Sequence, residues 1–205
     1  MRRCVIVGGA DIANYNRIKK YLENDDFFIF CDSGLKHKDN LSVTPDLIIG
    51  DFDSFKMPET CDIPIIKLPC EKDYTDTFSG LKEGEKLGFS EFLIIGVIGQ
   101  RIDHSLANIS MLKYLKNNGK IGKIVDDYSE ISIIKDNCII EKEECSYFSL
   151  ISLSERIEGV CIKGAKYPLD NAVIENSFQL GVSNEPVEKT SISVAGGDAL
   201  LIKIF

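Results

Sequence analysis

The chain has 205 residues, 44% of them hydrophobic and 27% charged, with a net charge of −8. That is length enough for one large or two small globular domains with a sizeable core, and the acidic balance argues against non-specific nucleic-acid binding, which needs a basic footprint. The seven cysteines are odd in number and show no C-x-x-C spacing, which argues against a disulfide framework or a structural zinc site.

Met1-Arg2-Arg3 leads into Cys4-Val5-Ile6-Val7 and then Gly8-Gly9. This apolar run is too short for a signal-peptide core, and no later run approaches the ~20 apolar residues of a membrane span. A cytoplasmic location is expected. "RCVIVGGA" reads as a buried strand, and "NYNRIKKYLEN" has helical spacing at Tyr15, Ile18 and Leu22. "FFIFCDSG", "DLIIGD" and "PIIKLP" are further strands, separated by the charged stretch "LKHKDN", where His37 reads as a surface residue. "TDTFSGLKEGEKLGF" predicts a helix capped by Thr75 and ending near Gly88, although Gly80 and Gly84 weaken it. "EFLIIGVIG" is a fifth strand. "HSLANISMLKYLKNNG" is the strongest helix, with an apolar stripe at Leu106, Ile109, Leu112 and Leu115 and a C-terminal Gly119. Strands alternating with helices imply a mostly parallel α/β sheet.

Beyond about residue 120 the pattern changes. "KIVDD", "EISIIKD", "CIIEKE", "YFSLISLS", "VCIKGA", "FQLGVSNE", "ISVAGG" and "ALLIKIF" are short β-rich runs with no helix between them. The expected organisation is an α/β domain over 1–120 and an all-β domain of sandwich or barrel type over 121–205.

In such a sheet, ligands bind beyond the carboxyl ends of the strands. Gly8-Gly9, Cys31-Asp32-Ser33-Gly34, Gly50 to Ser54, "EKDYTDT" (71–77) and Gly99-Gln100-Arg101 all follow expected strands, and together they would line one polar cleft. Asp51 and Asp53 point the same way in an extended segment, and close carboxylates call for a cation. Mg²⁺ takes carboxylate and phosphate oxygens, and Asp73 or Asp76 could add a ligand. A lone D-x-D also reads as a solvated acidic turn; the apolar strand ahead and the acidic loop downstream favour the metal. Asp46 lies at the strand's other end and is expected to be structural. Arg101 precedes a helix whose N-terminus already favours an anion, and its planar fork suits phosphate. Asp103 could accept from a ribose or amine. His104 and Asn108 share one helix face; His104 reads either as a site residue or as a hydrogen-bonded structural histidine. No G-x-x-x-x-G-K-[ST] phosphate loop occurs.

These segments together resemble the thiamine pyrophosphokinase family. The family's Pro-Asp-(apolar)₃-Gly-Asp-x-Asp-Ser block stands here as Pro45 to Ser54. Its Asp-x-Thr-Asp is Asp73-Tyr74-Thr75-Asp76, and its Gly-x-x-Gly-x-Arg-x-Asp-His-x-Leu-x-Asn is Gly96 to Asn108. "KGAKYPLDNAVI" and "GVSNEP" are similar to the family's second-domain segments. The chain departs at Val97 and Gln100, where members often carry glycine, and at Ser33; it also has no Trp.

The resemblance implies transfer of the pyrophosphoryl group of ATP to the thiamine hydroxyl, giving thiamine diphosphate and AMP. Carried over by position, Asp51, Asp53 and Asp76 would bind Mg²⁺. Lys72, Asp73, Thr75, Arg101 and Asp103 would contact ATP, with His104 and Asn108 supporting that loop. Ser183, Asn184 and Glu185 would lie at the thiamine site, completed across a homodimer. The rival enzymatic reading is a haloacid-dehalogenase-like phosphatase, whose D-x-D nucleophile also follows an apolar strand; Phe55 stands where that family has Thr or Val. A glycosyltransferase using its D-x-D for a metal-bound nucleotide sugar is a weaker rival, and a non-catalytic nucleotide or thiamine sensor is the reading from another class.

Overall fold

The first five apolar runs do become strands, because each is flanked by turn residues and too short for a stable helix. The computed structural model describes residues 2–52, 62–71 and 73–205, and the chain divides into two compact units, residues 1–127 and 128–205.

In the first unit β1 (Cys4–Val7), β2 (Phe27–Cys31), β3 (Leu47–Gly50), β4 (Ile65–Lys67), β5 (Glu91–Ile95) and β6 (Ile121–Val125) form a parallel sheet. Their order is β6-β5-β1-β2-β3-β4. β1 to β3 and β5 are nearly continuous apolar runs because both sheet faces are covered. One face packs Val5, Val7, Phe28, Phe30, Leu93 and Ile95 with Ile18 and Leu41. These last two come from α1 (Tyr15–Lys19), capped by Asn14, and α2 (Lys38–Leu41). On the other face lies α3 (Asp76–Lys86). Its two glycines, which weaken the helix on propensity alone, are there for contact. A Cβ on Gly80 would fall 2.6 Å from Cys31 Sγ, and one on Gly84 would fall 2.8 Å from the Phe92 ring.

The last helix of the unit, α4 (Ile102–Asn117), buries Asn108, Met111, Leu112 and Leu115. The expected stripe is therefore corrected: Leu106 is exposed, because residues spaced strictly by three drift around a helix of 3.6 residues per turn. His37 is also corrected. It is only 1% exposed, ending the 3-10 turn Asp32–His37 after β2. β6 pairs in parallel with β5 over its full length, so the first unit runs on past residue 120 to residue 127.

The second unit holds strands β7 (Ser129–Ile134), β8 (Asn137–Ile140), β9 (Tyr147–Ser152), β10 (Arg156–Ala165), β11 (Leu169–Glu175), β12 (Gly181–Asn184), β13 (Pro186–Ser193) and β14 (Ala199–Ile204). β12-β9-β14-β7 and β11-β10-β13-β8 make two antiparallel sheets. Ile134, Phe148, Leu150 and Leu201 from the first and Ile140, Ile157, Ile162, Ile174 and Ile192 from the second share one core. Two sheets closing on a common apolar layer make a sandwich.

Candidate active site

The sheet order contains its own pointer to a ligand site. The chain runs outward from β1 through β2 and β3 to β4, then returns to lay β5 on the other side of β1. Loops leaving β1 and β5 diverge at such a switch point and open a crevice at the carboxyl edge. Here they are held close at their roots: Gly8 N–H donates to Ile95 O at 2.9 Å and Ala10 N–H to Gly96 O at 2.8 Å. Gly96 has φ +63°, and a Cβ there would sit 2.5 Å from Gly8 O, so only glycine fits.

Above this crossing is a cavity of about 650 Å³. Asp32 and Asp51 reach it from the ends of β2 and β3, Thr75 and Asp76 from the start of α3, and Arg101, His104 and Asn108 from the start of α4. Asp11 and Lys36 also line it. The spread-out acidic and basic segments of the sequence thus meet at one edge. Asp53 and Lys72 lie outside the described residues. Asp73 is described and exposed, and is not among the residues lining the cavity.

Local structure fixes each described group. Thr75 caps α3, its Oγ1 accepting from Phe78 N–H at 3.2 Å, which puts Asp76 in the first helical turn where the dipole favours a carboxylate. Arg101 is the N-cap residue of α4. Its guanidinium grips Asp103 with bonds of 3.1 and 2.5 Å, and that hydrogen bonding holds the Asp103 carboxyl well below the usual carboxylate range. Asn108 is buried and donates from Nδ2 to Val97 O at 2.8 Å, fixing the loop between β5 and α4. Ser105 Oγ accepts from Gly99 N–H at 3.1 Å, a closure of the same loop that the sequence reading did not single out. His104 is exposed and lines the cavity.

Lys36 and Asp11 are cavity residues that sequence reasoning passed over, while Asp32 belongs to the Cys31–Gly34 segment expected at the cleft but was given no role there. Asp32 carries φ +45°, an unusual value for a non-glycine residue and the kind of strain that collects at functional sites. Asp46 lies away from the cavity, where its Oδ2 accepts from Phe28 N–H at 2.9 Å.

In the second unit, Asn184 is buried and its side-chain amide brackets Tyr167. Oδ1 accepts from Tyr167 N–H at 3.0 Å and Nδ2 donates to Tyr167 O at 2.7 Å. Glu185 pairs with Lys166 at 2.7 Å. Ser183 has φ +58° and is exposed. The two quoted segments, "KGAKYPL" and "GVSNEP", are therefore tied side by side.

Two family models match. Residues 18–122 match the model of the thiamin pyrophosphokinase catalytic domain, and residues 137–198 that of the thiamin pyrophosphokinase vitamin B1 binding domain. The thiamine pyrophosphokinase of Bacillus subtilis (strain 168) is 31% identical over 212 aligned residues, covering 99% of each chain. A crystal structure of thiamine pyrophosphokinase from B. subtilis superimposes with a TM-score of 0.87 at 26% identity, covering 99% of each chain. That of the Geobacillus thermodenitrificans enzyme gives 0.82 at 25%, covering 98% of this chain and 97% of the other. The ordered loops at the carboxyl edge of the first unit, the sandwich of the second and these matches agree: the chain belongs to the thiamine pyrophosphokinase family.

Proposed function

We propose that the carboxyl-edge cavity of the first unit binds ATP with Mg²⁺ and that the second unit contributes the thiamine site. The family supplies the reaction: transfer of the pyrophosphoryl group of ATP to the thiamine hydroxyl, leaving AMP. The phosphatase, glycosyltransferase and sensor alternatives find no support in it. The observation carrying the placement is the cavity, which brings Asp51 and Asp76 together with Arg101 at the switch point of the sheet.

Mg²⁺ suits this donor set. Among the described residues no three His, Cys, Asp or Glu side chains form a metal cluster by themselves. Mg²⁺ needs only one or two carboxylates when phosphate oxygens and water complete its shell, so Asp51 and Asp76 would hold it, with Asp53 joining from outside the described residues. When bound, the ion would supply charge neutralisation for the phosphates.

The protein's own share is positioning and charge. Arg101 would face the oxygens on which charge grows, with Lys72, Asp73, Thr75 and Asp103 around the nucleotide and His104 and Asn108 holding the loop. One carboxylate of the Asp51/Asp53 pair would take the thiamine hydroxyl proton. In the second unit Ser183, Asn184 and Glu185 would form the thiamine site, Asn184 through its grip on Tyr167. A homodimer would bring one chain's nucleotide cavity to the other's thiamine site.

Incubating the protein with Mg²⁺, ATP and thiamine and resolving the nucleotides tests this reading. AMP formed in step with thiamine diphosphate supports it; ADP, free phosphate or no product sinks it. Asp51→Asn and Asp76→Asn should each lower turnover by about a hundred-fold with the melting temperature little changed. A variant of normal activity removes its residue from the metal site.

A further inference from the structure

Lys36 is absent from every motif that carries the family resemblance, yet it lines the cavity. Among the described lining residues, it and Arg101 are the permanent cations. Its Nζ lies 2.6 Å from Asp11 Oδ1, and both side chains reach solvent, Asp11 at 86% exposure.

An exposed ion pair of this sort contributes little to stability, and the loop it touches is already secured. His37 Nε2 donates to Ala10 O at 2.8 Å, while its Nδ1 accepts from the Tyr15 hydroxyl at 2.7 Å. Ala10 N–H donates to Gly96 O. Farther along, the Asp127 carboxylate takes the N–H groups of Ala13 and Asn14 at 2.8 and 2.7 Å. These bonds fix the loop on both sides of Asp11, and the exposed Lys36–Asp11 pair adds little to them.

What the pair does is hold an ammonium at the cavity wall. Arg101 is kept the same way, gripped by the exposed Asp103. A triphosphate is a multiply charged anion and a stronger acceptor than a solvated carboxylate. Each cation can exchange its carboxylate for phosphate oxygens when the nucleotide enters. We propose that Lys36 is a further phosphate-binding cation of the catalytic cavity, held ready by Asp11. The proposal rests on the nucleotide reading of that cavity.

The test is calorimetric titration with ATP and Mg²⁺, alongside steady-state kinetics. Lys36→Gln should weaken ATP binding about ten-fold, leaving KM for thiamine and the melting temperature unmoved, while Lys36→Arg should restore binding to within about two-fold. Asp11→Asn should leave ATP binding unchanged or tighten it, by up to about five-fold, and that gain should shrink in the Lys36→Gln background. Equal ATP affinity in wild type and Lys36→Gln overturns the proposal. So does an Asp11→Asn variant weakened as much as Lys36→Gln, because the pair would then serve only the loop. Failure of the transfer reading shows differently, as ATP binding without AMP formation.

Discussion

Asp32 shows how a single residue is shaped by its neighbours. Its φ of +45° is held by the turn after β2, and the adjacent strand makes room for it: a Cβ on Gly50 would lie 3.0 Å from Asp32 Cα. The Gly50 that precedes Asp51 is thus a packing requirement between two cavity loops. His37 is the other residue whose surroundings decide its chemistry. Burial depresses its pKa below the ordinary 6.5, partly opposed by the Ala10 carbonyl, with Lys36 also lowering it and Asp11 and Asp127 raising it. The unfolded chain takes up a proton at this imidazole before the folded chain does. Stability from the site is therefore full above pH 6.5 and declines as pH falls below that value. Melting temperatures of wild type between pH 7 and 5 should drop more steeply than those of His37→Gln; parallel curves would remove His37 from the account. At this scale Asp51 and Arg101 were legible in the sequence because each sits where a strand or a helix visibly ends. Lys36 and His37 were not. "LKHKDN" has the composition of a solvated loop, and only the 3-10 turn shows that one face of it is interior.

Among the elements, α3 and α4 depart most from sequence logic while serving the site most directly. Thr75 and Gly119 mark their ends as expected, Gly119 with φ +69°. Their interiors are chosen for contact: glycines let α3 lie against β1 and β2, and Asn108 of α4 spends a buried position on the carbonyl of Val97. β11 escaped the sequence reading because Leu169–Glu175 alternates weakly and contains Asn171 at φ +47°, with register shifts against β10. β12 carries the clearest prediction of this rank. Asn184 spans both backbone polar groups of Tyr167, so Asn184→Ala leaves a part-buried N–H and C=O without that partner at a cost of about 1 kcal/mol. KM for thiamine should rise well above wild type while KM for ATP stays put. Equal rises in both would show general loosening instead of a role at the thiamine site.

For the molecule as a whole, the order of strands mattered more than their identity. Alternating strands and helices made the parallel sheet readable, but not that β5 returns beside β1, since register and neighbour choice depend on long-range packing. That return creates the crevice. The all-β second unit was likewise readable from its short runs, whereas the pairing of its strands into two sheets was not. Among the described residues no helix is long and apolar enough to cross a membrane. The shared-site reading belongs to this scale. Light scattering at working concentration should give twice the mass of the chain, and a monomer that still turns over thiamine would rule the shared site out.

Asp127 bears on how the chain can be cut. Its carboxylate is the anchor for the backbone of Ala13 and Asn14, so the last residue of the first unit fastens the loop that follows its first strand. An amino-terminal fragment ending at residue 120, or at the end of the catalytic-domain match at 122, would lose that anchor and all or most of β6. A fragment carried through Asp127 keeps both, and that is the shortest piece in which the carboxyl-edge cavity should survive dissection.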